Sequence, residues 1–331
     1  MSRVLVSILN WNGAARTLQC VAGLLRQQLP AGMRADILVI DNGSAAADAQ
    51  TLAAGLADMP VTLRREAVNH GFAGGHNLAV AHALAAGYEF VWLVNSDAVM
   101  GSADVLAQLL ALMAAEPRCG AASPVLAPLD QPDKPYFCGN FHDWSTLSTH
   151  RAADVAEARE LARGGTRQQW VPGTAMLLRA RALREAGNLD ERMFAYFEDD
   201  ELCARLAAHG WRSGVAYGAC VLHEMPRRET DRPLYYFYLM ARNYLIYWHG
   251  STPPPHRRAL VPKLLDRALY DVNRLHYRGF PAHARAALLG VDDFMHGRHG
   301  EPVLDRRPTL PVRIICWVLR PWHKRLLRRA G

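Results

Sequence analysis

Arg3-Val4-Leu5-Val6-Ser7-Ile8-Leu9-Asn10-Trp11-Asn12-Gly13 is a short apolar run closed by a polar turn. The same design returns at Asp36–Ile40, closed by Asp41-Asn42-Gly43-Ser44, and at Glu89–Val94, closed by Asn95-Ser96-Asp97. Short apolar runs bounded by turn residues read as buried strands. The intervening Ala14–Gln28, Ala45–Ala57 and Asn77–Ala86 are rich in Ala and Leu and read as helices, as does Ser102–Ala115 further on. Strand alternating with helix predicts βαβ units and an α/β fold with a mostly parallel central sheet. Ligands in such sheets sit outside the carboxyl ends of the strands. All three polar turns fall there, so Asn10, Asp41, Asn95 and Asp97 are expected to face one crevice.

Beyond the first helices the pattern loosens. Pro117–Pro135 reads as a Pro-rich irregular passage, Tyr136–His150 and Thr166–Arg179 as strand and loop, and Asp199–His209 as a helix. Val215–His223 is another apolar strand with a polar end, and Pro226–Pro233 a linker. Helices follow at Leu234–Trp248, Pro262–Arg278 and Pro281–His296. The expected organisation is a body over residues 1–225 and a helical C-terminal region over 226–331.

The two parts differ in charge. Residues 1–225 hold 18 Lys/Arg and 23 Asp/Glu, a net of −5; residues 226–331 hold 20 and 8, a net of +12. A basic third beside an acidic body points to an anionic partner, either lipid or nucleic acid. No nucleic-acid motif is present, and the acidic strand ends have no place in such a reading. Cys20, Cys119, Cys138, Cys203, Cys220 and Cys316 show neither Cys-x-x-Cys pairing nor metal-finger spacing, which fits a reducing compartment. The N-terminal run turns polar too soon for a signal peptide, and no window approaches the roughly 20 apolar residues of a spanning helix. The expected location is cytoplasmic, peripheral on the cytoplasmic face of the inner membrane.

Several clusters carry chemistry, each with a plainer alternative. Asn95-Ser96-Asp97 either places a carboxylate on a divalent cation that bridges a diphosphate, or forms a turn satisfying its own backbone. Asp41-Asn42-Gly43-Ser44 either holds a nucleoside or caps a helix. Asn69-His70-Gly71-Phe72-Ala73-Gly74-Gly75-His76-Asn77 reads as a Gly-rich loop opening a helix, able to approach a phosphate or sugar, or as a surface loop; it lacks the Gly-Lys-Ser/Thr of a Walker loop. Trp170-Val171-Pro172-Gly173-Thr174 is a sugar-stacking wall or a tight turn. His223 is a metal ligand or a structural histidine.

The densest cluster is Phe194-Ala195-Tyr196-Phe197-Glu198-Asp199-Asp200-Glu201-Leu202-Cys203-Ala204-Arg205. Four adjacent carboxylates repel one another and are costly to bury. A helix N-terminus accommodates one or two of them; a general base within reach of an acceptor hydroxyl accounts for another.

Taken in order, these stretches resemble the family 2 glycosyltransferases of GT-A-type, Rossmann-like fold, particularly the bacterial rhamnosyltransferase-like branch. The likeness runs through Val6–Gly13, Val39–Ser44, Asn69–Asn77, Leu93–Asp97, Trp170–Arg179 and Leu189–Arg205, about residues 3–225. It implies an inverting transfer of a sugar, first of all rhamnose from dTDP-rhamnose, from a nucleotide-diphosphate donor to a glycan or lipid-linked glycan in cell-surface polysaccharide synthesis. A UDP-sugar donor (galactofuranosyl, hexosyl or N-acetylhexosaminyl) and an inactive sugar-nucleotide-binding scaffold are the alternatives. By position the resemblance makes Asp199 the catalytic base, with Glu198, Asp200, Glu201 and Arg205 as further candidates. It makes Asp97 and His223 the holders of a divalent cation, Mg or Mn. It assigns Asn10, Asp41, Asn69, Gly71, Gly74, Gly75, Asn95, Trp170 and Gly173 to the donor. Two features depart from the family pattern: Asn95 replaces the first acid of Asp-x-Asp, and Glu-Met-Pro-Arg-Arg follows His223.

Residues 312–329 mix apolar residues and two Trp with six Lys/Arg. They fit either an interfacial helix on anionic lipid or a helix packed on the body with a solvated basic edge.

Overall fold

The computed structural model describes residues 2–144, 146, 148–164, 168–255 and 260–330. The chain divides into two compact units: residues 1–190 with 198–225, and residues 191–197 with 226–331.

The first unit is built on an eight-stranded mixed sheet of order β3-β2-β1-β4-β10-β6-β11-β5. Strands β1 (Ser2–Asn10), β2 (Met33–Asn42), β3 (Thr62–Glu66) and β4 (Phe90–Asn95) run parallel. Helices α1 (Ala14–Leu24), α2 (Ala46–Leu56) and α3 (Gly71–Ala85) connect them. Val4, Ile8, Val39, Ile40, Val91 and Leu93 are fully buried, as continuous apolar runs in a covered sheet require. Past the two-residue β5 (Val99–Met100) and α4 (Val105–Ala115) the sheet becomes mixed. Strand β10 (Ala175–Arg179) lies antiparallel between β4 and β6 (Cys119–Pro128), and β11 (Arg212–His223) returns parallel to β6. A second, three-stranded sheet joins β7 (Asn140–Asp143), β8 (Ser148–Arg151) and β9 (Gln168–Trp170). Helices α5 (Val155–Gly164), α6 (Ala180–Ala186) and α7 (Glu198–Ala208) complete the unit.

Three expectations from the sequence need correction. The passage Pro117–Pro135 is not irregular throughout, because it contains β6, a central strand. Small residues hide its periodicity: a Cβ on Gly120 would meet Ala182 and Trp211 at 3.1 Å, so close packing replaces side-chain bulk there. Pro124 is tolerated because β11 shifts register opposite it, between Ala216 and Cys220. The Gly-rich segment is no loop beyond His70: α3 begins at Gly71. A side chain at Gly75 would overlap Leu9, so this glycine lets α3 lie close against β1. Strand β3 was not foreseen, since its exposed Thr62, Arg64 and Arg65 carry an edge rather than a core pattern. Thr166 and Arg167 of the expected Thr166–Arg179 segment lie outside the described residues.

Gly43, which follows β2, has φ +73°, and a Cβ there would stand 2.5 Å from the carbonyl carbon of Val68. Both the left-handed backbone and the contact exclude a side chain. Gly43→Ala is expected to cost about 1–3 kcal/mol, measured as a lower denaturation midpoint at unchanged slope.

The second unit holds helices α8 (Leu234–Ser251), α9 (Leu260–Tyr277), α10 (Pro281–Met295) and α11 (Leu310–Ala330). No helix among the described residues is long and apolar enough to cross a membrane. Arg242, fully buried on α8, donates to the carbonyls of Arg192, Met193 and Gly300, and Asn243 donates to those of Met193, Ala195 and Tyr196. These bonds hold a segment in which Phe194, Tyr196 and Phe197 all have φ between +63° and +70°, a strained region for aromatic residues.

Candidate functional site

The register of the parallel strands assembles the site. Asn10 pairs with Asp41 across β1 and β2, and Leu9 with Asn95 across β1 and β4, so the three polar strand ends stand side by side. Asn10 is fully buried. Its Nδ2 donates to Asp41 Oδ1 (3.2 Å), Ser44 Oγ (3.1 Å) and Asp48 Oδ2 (3.0 Å), and its Oδ1 accepts from Thr17 (2.7 Å). This saturated amide ties β1, β2 and the starts of α1 and α2 into one corner. The Asp41 side chain is only 3% exposed, with Arg65 Nε 3.7 Å from its other oxygen.

Asn42 forms a second corner. Its Nδ2 donates to Asn69 Oδ1 (2.8 Å) and the Gly71 carbonyl (3.1 Å), and its Oδ1 accepts from the His70 N–H (3.0 Å). Asn69 Oδ1 also accepts from the Gly71 N–H (2.8 Å), which fixes the entry to α3. Gly71 needs to be glycine because its φ is +70°. Gly71, Gly74 and Gly75 are all buried in α3, and at Gly75 the missing side chain lets the helix lie close against Leu9 of β1.

At the end of β4 the Asn95 N–H donates to the Thr174 carbonyl (2.9 Å), which places the turn before β10 beside the polar ends of β1 and β4. Asn95 Nδ2 stands 3.2 Å from His223 Nε2, and the same nitrogen stands 3.2 Å from Asp97 Oδ1. Burial opposes ionisation of Asp97, yet the His223 hydrogen bond and charge, with smaller help from the backbone and Arg16, hold its pKa below the ordinary carboxylate value. Asp97 and His223 keep 24% and 17% of their side-chain surface exposed. A carboxylate and an imidazole nitrogen side by side suit Mg²⁺ or Mn²⁺ with two protein ligands, the remaining positions going to phosphate oxygens and water. Among the described residues no group of three His, Cys, Asp or Glu stands ready to hold a metal alone.

Through Gly173 the same rim reaches the acidic cluster. The Gly173 N–H donates to Asp199 Oδ2 and the Asp200 N–H to Asp199 Oδ1, both at 2.9 Å. A Cβ on Gly173 would come 3.1 Å from the Phe72 ring. The four carboxylates open α7, where the helix dipole favours negative charge. Their surroundings then separate them. Glu201 is bound by Arg205 (Nη2–Oε2 2.6 Å), which also donates to the carbonyls of Ala186 and Asn188. Asp200 is buried and faces His142 Nε2 at 3.2 Å. Glu198 is 5% exposed, with Oε2 unpartnered among the described residues. Burial, then the charge of Asp199, raises its pKa well above the ordinary carboxylate value. Asp199 alone of the four is both part-exposed and, among the described residues, without an ion pair. Burial first, then the charge of Asp200, pushes its pKa up to about 7 against the two N–H bonds.

His142 was not singled out by sequence reasoning. It comes from β7, where burial depresses its pKa to about 4, partly offset by Asp199. Trp144 stacks on it at 5.5 Å between ring centres, and Trp170 lies 5.8 Å away, so Trp170 belongs to an aromatic group beside Asp200. No local motif marks it, because the neighbour that gives it meaning is 58 positions along the chain (200 − 142).

Comparison with known proteins gives a consistent result. The chain is 32% identical over 193 residues to galactofuranosyltransferase GlfT1 of Mycobacterium tuberculosis, covering 56% of this chain and 58% of that protein. A shorter match, 43% over 54 residues, covers 16% of this chain and 18% of the N-acetylglucosaminyl-diphospho-decaprenol L-rhamnosyltransferase of the same organism. Among solved structures, a mannosyltransferase from Pyrobaculum calidifontis in complex with GDP-Man and Mn²⁺ superposes with TM-score 0.56 at 19% identity, over 97% of this chain and 88% of that one. TarS of S. aureus in complex with UDP-GlcNAc superposes with TM-score 0.57 at 13% identity, over 89% and 81%. These two likenesses concern the fold, which is of GT-A type. The model of the glycosyltransferase-like family 2 matches residues 2–244, and the chain belongs to that family.

Proposed function

We propose that the protein is an inverting glycosyltransferase that moves a sugar from a nucleotide-diphosphate donor to a hydroxyl of a glycan or lipid-linked glycan in cell-surface polysaccharide synthesis. One observation carries the choice of base: of the four carboxylates at the head of α7, only Asp199 is both part-exposed and without an ion pair among the described residues. Glu198 and Asp200 are buried, Asp200 against His142, and Glu201 is committed to Arg205.

Ionised Asp199 takes the proton of the acceptor hydroxyl as that oxygen attacks the anomeric carbon. The bond to the diphosphate breaks on the opposite face, and the sugar is transferred with inverted configuration. Gly173 aims the carboxylate, and its lack of a side chain leaves room in front of Phe72. Asp41, with Arg65 beside it, is proposed to recognise the base or ribose, in the corner built by Asn10, while Trp170 forms part of the sugar wall. A divalent cation held by Asp97 and His223 would supply charge to offset the leaving diphosphate. Simultaneous binding of both substrates supplies the entropic part of the acceleration.

The longer similarity to a galactofuranosyltransferase favours galactofuranose as the donor sugar; the 54-residue match keeps rhamnose as the second reading. Calorimetric titration with dTDP, UDP, GDP and ATP, each with Mn²⁺ and with EDTA, tests the donor site. UDP or dTDP is expected to bind at least about tenfold more tightly with Mn²⁺, since two protein ligands leave the rest of the shell to phosphate. Absence of binding to every nucleoside diphosphate would favour an inactive scaffold instead.

A further inference from the structure

Helix α11 buries only a narrow seam and leaves most of its large apolar residues exposed. That seam is Val312, Cys316 and His323, beside half-buried Leu319, Leu326 and Leu327, and Cys316 and His323 make hydrogen bonds in it. Asn273 of α9 donates to the Cys316 carbonyl (3.3 Å) and stands 2.9 Å from His323 Nδ1, while His323 Nε2 stands 3.1 Å from Asp266. Most of the large apolar residues point the other way. Leu310, Ile314, Ile315, Trp317, Val318 and Trp322 are 46–67% exposed, and Arg325, Arg328 and Arg329 extend the same outward side towards the helix end. An exposed stripe of this kind on one helix marks a contact surface rather than a scatter of surface residues.

Beside the stripe lies a cavity of about 290 Å³, floored by Val272, Ala284 and Leu288 and rimmed by Arg285, Arg307, Arg313 and Arg320. A second cavity, of about 380 Å³, shares Leu288, Arg313 and Arg320 and opens beside Leu310, Ile314 and Trp317. Among the described residues none of the four arginines has a carboxylate partner. Arg285 donates to the Arg306 carbonyl and Arg320 to Asn273. Elsewhere in the same unit Arg274, Arg298 and Arg306 are paired with acids. Burial, then the positive charge of Arg320, lowers the pKa of His276 on the same rim, so the local potential is positive. Unpaired guanidinium groups over an apolar floor match a phosphate head group attached to acyl chains.

We propose that the outward face of α11 and the adjoining arginine-rimmed cavity form a docking site for anionic phospholipid. Trp317 and Trp322 would sit at head-group depth, Ile314, Ile315 and Val318 in the acyl boundary, and Arg285, Arg307, Arg313 and Arg320 on lipid phosphate. Charge complementarity selects the occupant: the C-terminal region carries a net of +12 against the anionic leaflet. The inference stands apart from the identity of the donor sugar.

The test is co-sedimentation of the full chain with vesicles of phosphatidylcholine alone and with about 30% phosphatidylglycerol, in about 0.15 M salt. Binding to the anionic vesicles only is expected. Arg285→Ser/Arg307→Ser/Arg313→Ser should weaken it about 100-fold, at roughly fivefold per cation near an anionic surface. Trp317→Ser/Val318→Ser should weaken it at least about tenfold, since apolar burial contributes independently. Binding of UDP and dTDP by both variants should be unchanged, which certifies their folding and keeps this result separate from the donor-site reading. Equal binding to neutral and anionic vesicles, or undiminished binding by the triple variant, would overturn the proposal. So would dissociation of a dimer, seen by light scattering without vesicles, on introducing Trp317→Ser/Val318→Ser, because the face would then join two copies of this chain.

Discussion

Asp199→Asn is expected to lower the rate of sugar transfer by about 10³-fold, within the roughly 10²–10⁴ range of general-base catalysis, and to leave nucleoside diphosphate affinity within a few-fold of the parent. The amide keeps the shape of the carboxylate and still accepts one of its two backbone N–H groups, from Gly173 or Asp200, but takes no proton. The proposed donor contacts lie at the ends of β1, β2 and β4, on other residues, so binding and turnover should separate. The pH dependence follows from the same group. Asp199 works only when ionised, and with its pKa at about 7 the parent rate should rise with pH up to about 7 and then level, falling about tenfold per pH unit below. Stability moves oppositely. The folded pKa lies above the unfolded value of about 3.9, so the folded state binds the extra proton between those limits and stability declines as pH rises through the window. The Asn variant should show a shallower decline. A pH-rate profile and denaturant midpoints at several pH values read both. Transfer by Asp199→Asn near the parent rate would shift the role of base to Asp200.

Asp97→Asn should have the second largest effect, a loss of about 10²–10³ in kcat, comparable to removal of one stabiliser of transition-state charge. The change removes a charge from the exposed edge of the Asn95–His223–Asp97 group while the Asn95 hydrogen bond to the Thr174 backbone keeps the turn in place. Nucleotide affinity in Mn²⁺ should fall to the value seen in EDTA, so that the variant no longer distinguishes the two conditions. The test is the same titration on both proteins. Metal-enhanced binding that survives Asp97→Asn would move the cation to other ligands.

Part of this site is legible in the amino-acid sequence. Continuous apolar runs ending in Asn10, Asp41 and Asn95 fix strand type, direction and the end at which ligands gather, because parallel strands buried on both faces require such runs. The pairing of Asp97 with His223 also lies within reach, as both follow or close apolar strands. The roles within Glu198–Glu201 do not, since charge repulsion shows only that the four must differ. Which one stays accessible is decided by Arg205, one turn on, and by His142 and Gly173 from distant parts of the chain. The Gly-rich segment misleads for a related reason: glycine reads as loop by propensity, whereas at Gly75 it answers a tertiary contact with Leu9. Strand β6 stays hidden because its prolines and small residues are accommodated by a register shift in its neighbour. The outward apolar face of α11 shows in the sequence only as composition; its polar seam against α9 determines which side packs.

The most direct test of the central claim is the anomeric configuration of the sugar when it leaves the donor. Nuclear magnetic resonance on turnover of UDP-galactofuranose, and in parallel dTDP-rhamnose, with Mn²⁺ would record it before mutarotation. A first-formed product of configuration opposite to the donor, absent with Asp199→Asn, is the predicted result. A product of retained configuration would contradict single displacement assisted by Asp199.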